Sequence, residues 1–173
     1  MTMIEVMHNE EGDINLIEMW LKIDPTRWIA GAMGGLTAGW IAMAVAMIFS
    51  AAAGLELYFP IKAVAAALLG SSATESGMHI GAILTGAIGH SILAAVLGVA
   101  YAHFSVKNHL SVLLGTGFVW GTFSWVFIFC LFSQSFQGWN ALALHRGAGL
   151  ALNLVFGFSL ATVAVFDKML RKN

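Results

Sequence analysis

Charge is what this sequence has least of. Its 173 residues include eight Lys or Arg and nine Asp or Glu, so 10% of the chain is charged whereas 59% is hydrophobic. A water-soluble domain carries about 25% charged residues, and this chain lacks enough charge to cover a surface that faces water. It also lacks the basic excess of a nucleic-acid-binding protein, so we expect no nucleic-acid partner. The composition predicts an integral membrane protein.

Cysteine and catalytic motifs are scarce as well. The single cysteine, Cys130, excludes an intramolecular disulfide and any zinc or iron–sulfur site built from several thiolates. The sequence has no nucleophile elbow, phosphate-binding loop, paired carboxylates or HExxH zinc motif. We therefore expect no enzymatic activity, no catalytic residue and no dedicated metal site in this chain.

Long uncharged runs occupy most of the remaining sequence, at 28–55, 76–106, 108–145 and 147–166. A helix of roughly 20 apolar residues crosses the hydrocarbon core of a bilayer. The polar segment 133–140 ends the third run early, so this run has room for one span only. We predict an all-α membrane protein, a four-helix bundle with spans at about 28–53, 79–103, 110–132 and 146–167.

Two shorter segments are predicted to be helical without crossing the membrane. Residues 60–70 begin with Pro60, which suits a first helical turn, and predict an interfacial or re-entrant helix after the first span. Ile14, Ile17 and Leu21 share one helical face, which predicts a short amphipathic helix. The chain thus divides into a cytoplasmic tail, 1–27, and one transmembrane domain, 28–173.

The basic residues predict the orientation. With four spans, both termini and the short loop after the second span share one side, which carries six of the eight basic residues: Lys22, Arg27, Lys107, Lys168, Arg171 and Lys172. Basic loops stay in the cytoplasm, so we expect both termini there and a multi-pass membrane protein. Asp24 and Pro25 are predicted to be the N-cap and first residue of the first span, and Tyr101 a member of the cytoplasmic aromatic belt.

The spans repeat a pattern of small residues. Gly35 of the first span aligns with Gly115 of the third, and His90 of the second aligns with Asn153 of the fourth, which suggests a tandem repeat of two helical hairpins. Chance recurrence of small residues is the alternative. In a bilayer, small residues four positions apart let helix backbones approach closely. The predicted packing residues are Gly31, Gly35, Gly39, Gly86, Ala94, Gly98, Gly117, Gly121, Gly149, Gly157 and Ala161. The same faces would also suit self-association or contact with other integral membrane subunits and with lipids.

His90 is the main candidate for a functional residue, because an ionisable side chain near the middle of a span is costly and marks a site by default. Three interpretations stay open for it. A neutral ring would tie two helices by a hydrogen bond to Asn153, Thr85 or a backbone carbonyl. A ligand role would bind a haem, a pigment or a quinone with help from Asn153, although no cofactor is required. Proton transfer is the third.

The other histidines are predicted to lie at the membrane interfaces or in the tail: His8, His79, His103, His109 and His145. No carboxylate or cysteine stands beside them at ligand spacing, so solvated side chains are the expectation. If the repeat brings the starts of the second and fourth spans together, His79 and His145 are the one pair that would form a surface metal site.

The second span resembles small bacterial inner-membrane proteins of the YagU type. The likeness rests on the segment from His90 to Tyr101, in which a mid-helix histidine precedes a tyrosine with small residues between, and on the apolar-to-basic segment from Leu154 to Arg171. It covers about the last 90 residues, and the chain departs from the pattern at Asn153, where a second histidine is expected. The resemblance implies four helices and a bacterial inner membrane, and it implies no activity.

Three functions follow from these observations as expectations. The first is a non-enzymatic subunit that packs into and stabilises a larger inner-membrane complex, such as a respiratory or redox complex. The second is a haem-, pigment- or quinone-binding membrane protein that uses His90. The third is a small transporter or channel for a solute or an ion.

Overall fold

The computed structural model describes residues 23–105, 110–131 and 146–172, and every regular element in this part of the chain is helical. The helices are α1 (Pro25–Ala52), α2 (Phe59–Leu69), α3 (Ile80–Phe104), α4 (Leu110–Trp125), α5 (Arg146–Ser159) and α6 (Thr162–Leu170). A 3₁₀ turn follows α2 at Ser71–Thr74, and a π-helical segment, Val126–Leu131, continues α4. Four helical segments are long and apolar enough to cross a membrane, as the sequence predicts.

Some predicted features lie outside the described residues. They are the amphipathic helix around Ile14, Ile17 and Leu21 in the tail and the polar turn at 133–140. The predicted interfacial helix at 60–70 corresponds to α2, which ends where Gly70 takes a φ of 79°, a left-handed conformation that favours glycine.

The first span begins at its predicted cap. The carboxylate of Asp24 accepts a hydrogen bond from the backbone N–H of Arg27 at 3.1 Å, and Pro25 occupies the first helical turn, where its missing N–H costs nothing. This confirms the predicted N-cap. The helix therefore starts at Pro25, slightly before the predicted residue 28.

The fourth predicted span, 146–167, corresponds to α5 and α6, which together run from Arg146 to Leu170 with a two-residue turn at Leu160 and Ala161 between them. Between α5 and α6, the backbone N–H of Leu160 bonds the carbonyls of both Phe156 (3.1 Å) and Gly157 (3.2 Å), which tightens the chain into a turn. Beyond this turn, Val163 packs on α1 at Gly34, where a Cβ atom would lie 2.5 Å from Val163 Cγ2. Helix α6, which follows this turn, therefore contacts α1.

Helix α1 lies at the centre of the bundle. It packs against α3 on one side and against α5 and α6 on the other, while α4 packs against α5 and α2 against α3. We call the end that holds the start of α1 and the ends of α3 and α6 the Asp24 end, and the opposite end, which holds α2, the Lys62 end.

Tyr101 links the second and third spans. Its side chain is 2% exposed, and its hydroxyl donates to the carbonyl of Leu113 (3.2 Å) and pairs with Thr116 Oγ1 (3.0 Å). The predicted belt residue Tyr101 instead has a buried side chain that packs between α3 and α4. A buried tyrosine needs a partner for its hydroxyl, and α4 supplies one.

Candidate functional site

His90 ties the second span to the first. It lies near the middle of α3, and its Nε2 atom is 3.0 Å from the carbonyl oxygen of Gly39 on α1. Because a carbonyl only accepts, Nε2 must carry the proton of this bond, and Nδ1 of the neutral ring is left as an acceptor. A Cβ atom at position 39 would lie 3.2 Å from Nε2, so glycine leaves the ring room to approach. The Trp40 ring stands edge-on to His90 at 5.8 Å.

Asn153, the other candidate, bonds within its own helix. Its Nδ2 atom donates to the carbonyl of Gly149 at 2.9 Å, which uses one of its two amide hydrogens. Among the described residues, no hydrogen bond joins Asn153 to His90. The polar atoms that remain to Asn153 are its side-chain oxygen and its second amide hydrogen.

A cavity brings these two residues together. Its volume is about 150 Å³, and both His90 and Asn153 line it. The rest of its wall is apolar and comes from every span and from α2, with Met43, Pro60, Ile128 and Phe156 as representatives. Ile128 belongs to the π-helical segment, a rare geometry that often accompanies functional sites. We call this space the central cavity.

No protein-family model, curated protein or solved structure matches this chain. The site is therefore interpreted from its own geometry.

The predicted packing residues of the first two spans face each other. A Cβ atom on Gly31 would lie 2.7 Å from the Gly98 carbonyl oxygen, and one on Gly39 would lie 2.5 Å from Ala94 Cβ. Gly35 likewise lies directly against the carbonyl of Ala94. At these positions a larger side chain would push α1 and α3 apart.

The third and fourth spans approach in the same way. A Cβ atom on Gly117 would lie 3.0 Å from the carbonyl carbon of Gly157, and one on Gly121 would lie 2.5 Å from the backbone oxygen of Asn153. By contrast, a Cβ atom on Gly115 would meet no described atom within 4 Å. The alignment of Gly115 with Gly35 therefore does not reproduce the contact that Gly35 makes.

The last three predicted packing residues have other surroundings. Gly86 faces α2, where a Cβ atom would lie 3.0 Å from Ile61 Cγ2. The carbonyl of Gly149 accepts the bond from Asn153, and Ala161 packs partly buried against the main apolar core.

Sequence reasoning missed a buried cation at the Lys62 end. The Lys62 side chain is fully buried, and its ammonium group donates to Glu56 Oε2 (2.7 Å), to the Glu75 carbonyl (2.5 Å) and to the Gly77 carbonyl (3.1 Å). The hydrogen bond from Lys62 lowers the pKa of the Glu56 carboxyl below its ordinary value. These bonds use all three ammonium hydrogens and fix α2 to the loop before α3.

A second charged network, also missed, closes the Asp24 end. Asp167 is 2% exposed and accepts from Arg27 at 3.4 Å and from Arg171 at 3.0 Å, while Arg171 also bonds Asp24. Arg27 Nε donates to the carbonyl of Ala102 at 2.7 Å. The hydrogen bond from Arg171 lowers the pKa of Asp24 below its usual value of 3.8. The network joins the start of α1 to the ends of α3 and α6.

Of the described edge histidines, His79 makes a contact within its own loop, whereas His103 joins the end of α3 to the start of α1. His79 Nε2 lies 3.2 Å from the Ser76 carbonyl, and the indole N–H of Trp28 donates to His103 Nδ1 at 3.3 Å. His8, His109 and His145 lie outside the described residues, so the pairing of His79 with His145 stays a prediction. Within residues 23–105, 110–131 and 146–172, no group of three His, Cys, Asp or Glu side chains is arranged to hold a metal ion.

Proposed function

We propose that this chain is a multi-pass protein of the bacterial inner membrane, with both termini in the cytoplasm and no catalytic activity of its own. We further propose that it binds the ring of a small membrane-soluble ligand, a quinone or quinol, in the central cavity between His90 and Asn153. The observation that supports this proposal is a cavity whose two polar side chains are the two candidates chosen from sequence.

The size of the central cavity favours a single ring. An enclosed protein cavity of about 150 Å³ holds a benzene molecule, and the central cavity is partly open, so the substituents of a larger single ring can extend beyond it. A haem or pigment macrocycle is several times larger, and His90 already uses Nε2 for the bond to Gly39. Of the three ligands considered from sequence, the quinone ring agrees best with this volume.

The polar atoms favour the reduced form of such a ring. Nδ1 of the neutral His90 ring accepts but does not donate, so a ligand hydroxyl is its complement. Asn153 retains one amide hydrogen for a ligand oxygen. A quinol has hydroxyl groups to donate, whereas a quinone has carbonyls that only accept. One additional hydrogen bond contributes about 0.5–1.5 kcal/mol, so the quinol should bind about 2- to 12-fold more tightly.

Calorimetry on the detergent-solubilised protein tests the proposal. Tail-less dimethoxy-methyl-benzoquinol and the corresponding quinone are titrated into wild type, His90→Ala and Asn153→Leu, with Thr122→Val as the control, because Thr122 bonds only its own helix at Phe118. Each site variant should weaken quinol binding about 2- to 12-fold, and the control should not. No binding to wild type, or equal affinity in all four proteins, would contradict the proposal. p-Xylene, a single ring without oxygen, gains no hydrogen bond in the cavity, so Asn153→Leu should not weaken its binding.

An accessory subunit of a larger membrane complex is the second candidate. The observation in its favour is a shallow apolar groove on α3, lined by Trp28, Ala95, Val99, Ala100 and His103. Its small residues suit the close approach of a transmembrane helix from another subunit. A photoreactive amino acid at position 95 should then give one discrete protein adduct in native membranes, absent when the same group replaces lipid-facing Ala44. Adducts with lipid alone would contradict this candidate.

The transporter alternative makes a different demand on the central cavity. Transport of a solute or an ion requires a hydrated path through it, whereas ring binding requires a dry wall. Apart from His90 and Asn153 the wall is apolar, which supports binding. A cysteine placed at Met43 should therefore react slowly with water-soluble thiol reagents, and rapid reaction would favour transport.

A further inference from the structure

A second cavity adjoins the central cavity on the side of the Lys62 end. Its volume is about 310 Å³, and it lies between the end of α1, the start of α2 and the first turns of α5. Ala46, Pro60 and Leu152 line both cavities, so the two spaces share one wall. We call the second cavity the tail slot.

Among the described residues, the lining of the tail slot offers no free hydrogen-bonding group to a polar ligand. Apart from Ser50 and from Gly149, which has no side chain, the described lining residues carry apolar side chains, including Phe49, Ala52, Phe59 and Ala148. The Ser50 hydroxyl already donates to the backbone carbonyl of Glu56 at 3.1 Å. An occupant of this slot therefore gains contact with hydrocarbon but no hydrogen bond or charge.

The nearby cation does not change this conclusion. The ammonium group of Lys62 has all three hydrogens engaged and no exposed surface, so it has no donor left for an anionic lipid headgroup. This favours an uncharged chain attached to the ring over a phospholipid that enters with its headgroup first.

From the shared wall and the apolar lining, we infer that the ligand carries an uncharged hydrocarbon tail, and that this tail leaves the central cavity through the tail slot toward the Lys62 end. The inference rests on the proposed function, because it assigns a class of lipid-tailed quinol to the same site. It adds the direction in which the tail leaves the central cavity and a preference for tailed ligands. His90 and Asn153 alone predict neither.

The test compares two homologues of one quinol, one without a tail and one with a ten-carbon alkyl tail. Affinity is measured by calorimetry for wild type and for Ala52→Phe, which places a large ring in the tail slot without touching the central cavity. Ala44→Phe is the matched control, since Ala44 is an exposed residue of the same helix that lines neither cavity. Unchanged unfolding midpoints in sodium dodecyl sulfate establish that the variants fold.

We expect Ala52→Phe to weaken binding of the tailed quinol at least fivefold and to change binding of the tail-less quinol less than twofold. Ala44→Phe should change neither of the two affinities. Because the tail partitions into the micelle to the same extent with both variants, the comparison between them cancels this effect. Equal weakening of both ligands, or of neither, would overturn the tail slot and leave the proposed function standing. Failure of the tail-less quinol to bind wild type would refute the proposed function itself.

A photoreactive tail gives a second, independent measurement. A diazirine at the end of the ten-carbon tail should label residues of the slot, such as Ala52, Phe59 or Ala148, in wild-type protein. Labelling confined to residues at the Asp24 end, such as Val99 or Phe104, would overturn the inference even if the ring binds as proposed.

Discussion

Two glycines on one helix give the sharpest test of the packing. Gly117 is buried and Gly115 is exposed, although both lie on α4 and are two residues apart. Alanine at position 117 would place its Cβ atom 3.0 Å from the carbonyl carbon of Gly157, whereas alanine at 115 would meet no described atom within 4 Å. Each variant adds one methyl group to α4. In Gly117→Ala the methyl group enters a packed contact, and in Gly115→Ala it enters open space.

The magnitude follows from this geometry. Carbon atoms rest about 3.5–4.0 Å apart, so α4 and α5 must separate by about 0.5–1 Å to admit the Gly117→Ala methyl group. Such a gap loses a quarter to a half of the dispersion energy along the contact, and overpacking of this kind costs about 1–3 kcal/mol. Alanine also gains about 1 kcal/mol of helix propensity, but this gain is common to both variants and cancels in their difference. Gly117→Ala should therefore be about 1–3 kcal/mol less stable than Gly115→Ala.

Reversible unfolding in mixed micelles with increasing sodium dodecyl sulfate, followed by circular dichroism, measures this difference. The expected order is Gly115→Ala equal to or above wild type and Gly117→Ala below it. Equal unfolding free energies for the two variants, or a larger loss for Gly115→Ala, would show that α4 and α5 do not meet at these residues.

Three further predictions concern the polar contacts. Lys62→Met removes the donors to the Glu75 and Gly77 carbonyls and should lower the free energy of unfolding by about 2–3 kcal/mol, whereas Lys168→Met, an exposed control, should not. Tyr101→Phe should cost about 1 kcal/mol and exposed Tyr58→Phe almost nothing in the same assay, so equal losses would contradict the α3–α4 link. Because the folded pKa of Asp24 lies below 3.8, its stabilising contribution should be complete above pH 3.8 and decline as the pH falls through the folded value. Arg171→Gln should reduce that decline in acid-unfolding curves, and an unchanged curve would contradict the ion pair.

The sequence predicted the helices well because the cost of burying charge in lipid sets their bounds. Uncharged runs gave the four spans, and Pro60 with Gly70 marked α2. The turn at Leu160 and Ala161 had no signal in the sequence, since neither residue is a helix breaker.

The structure places both sequence candidates, His90 and Asn153, on one cavity, and the contact of His90 with Gly39 agrees with one of its open interpretations, a bond to a backbone carbonyl. The cost of a polar side chain within a span singled out His90 and Asn153. The partner of His90 is the carbonyl of Gly39, and a backbone carbonyl has no signature in sequence. The same reason concealed the burial of Lys62, two of whose three partners are backbone oxygens. The predicted repeat stays a hypothesis. Gly35 lies against the carbonyl of Ala94, and Gly117 lies against the carbonyl of Gly157 in the same way. The predicted alignment paired Gly35 with Gly115, which is two residues before Gly117.

The network at the Asp24 end also has a consequence in time. A chain is synthesised from its N-terminus, so Arg27 and the Ala102 carbonyl enter the membrane long before Asp167 and Arg171 are made. The pair α1–α3 can form first, and the carboxylate partner of Arg27 arrives with the last helix. Closure of this end therefore requires α6, because Asp167 and Arg171, which complete the network with Arg27 and Asp24, lie on that helix or directly after it.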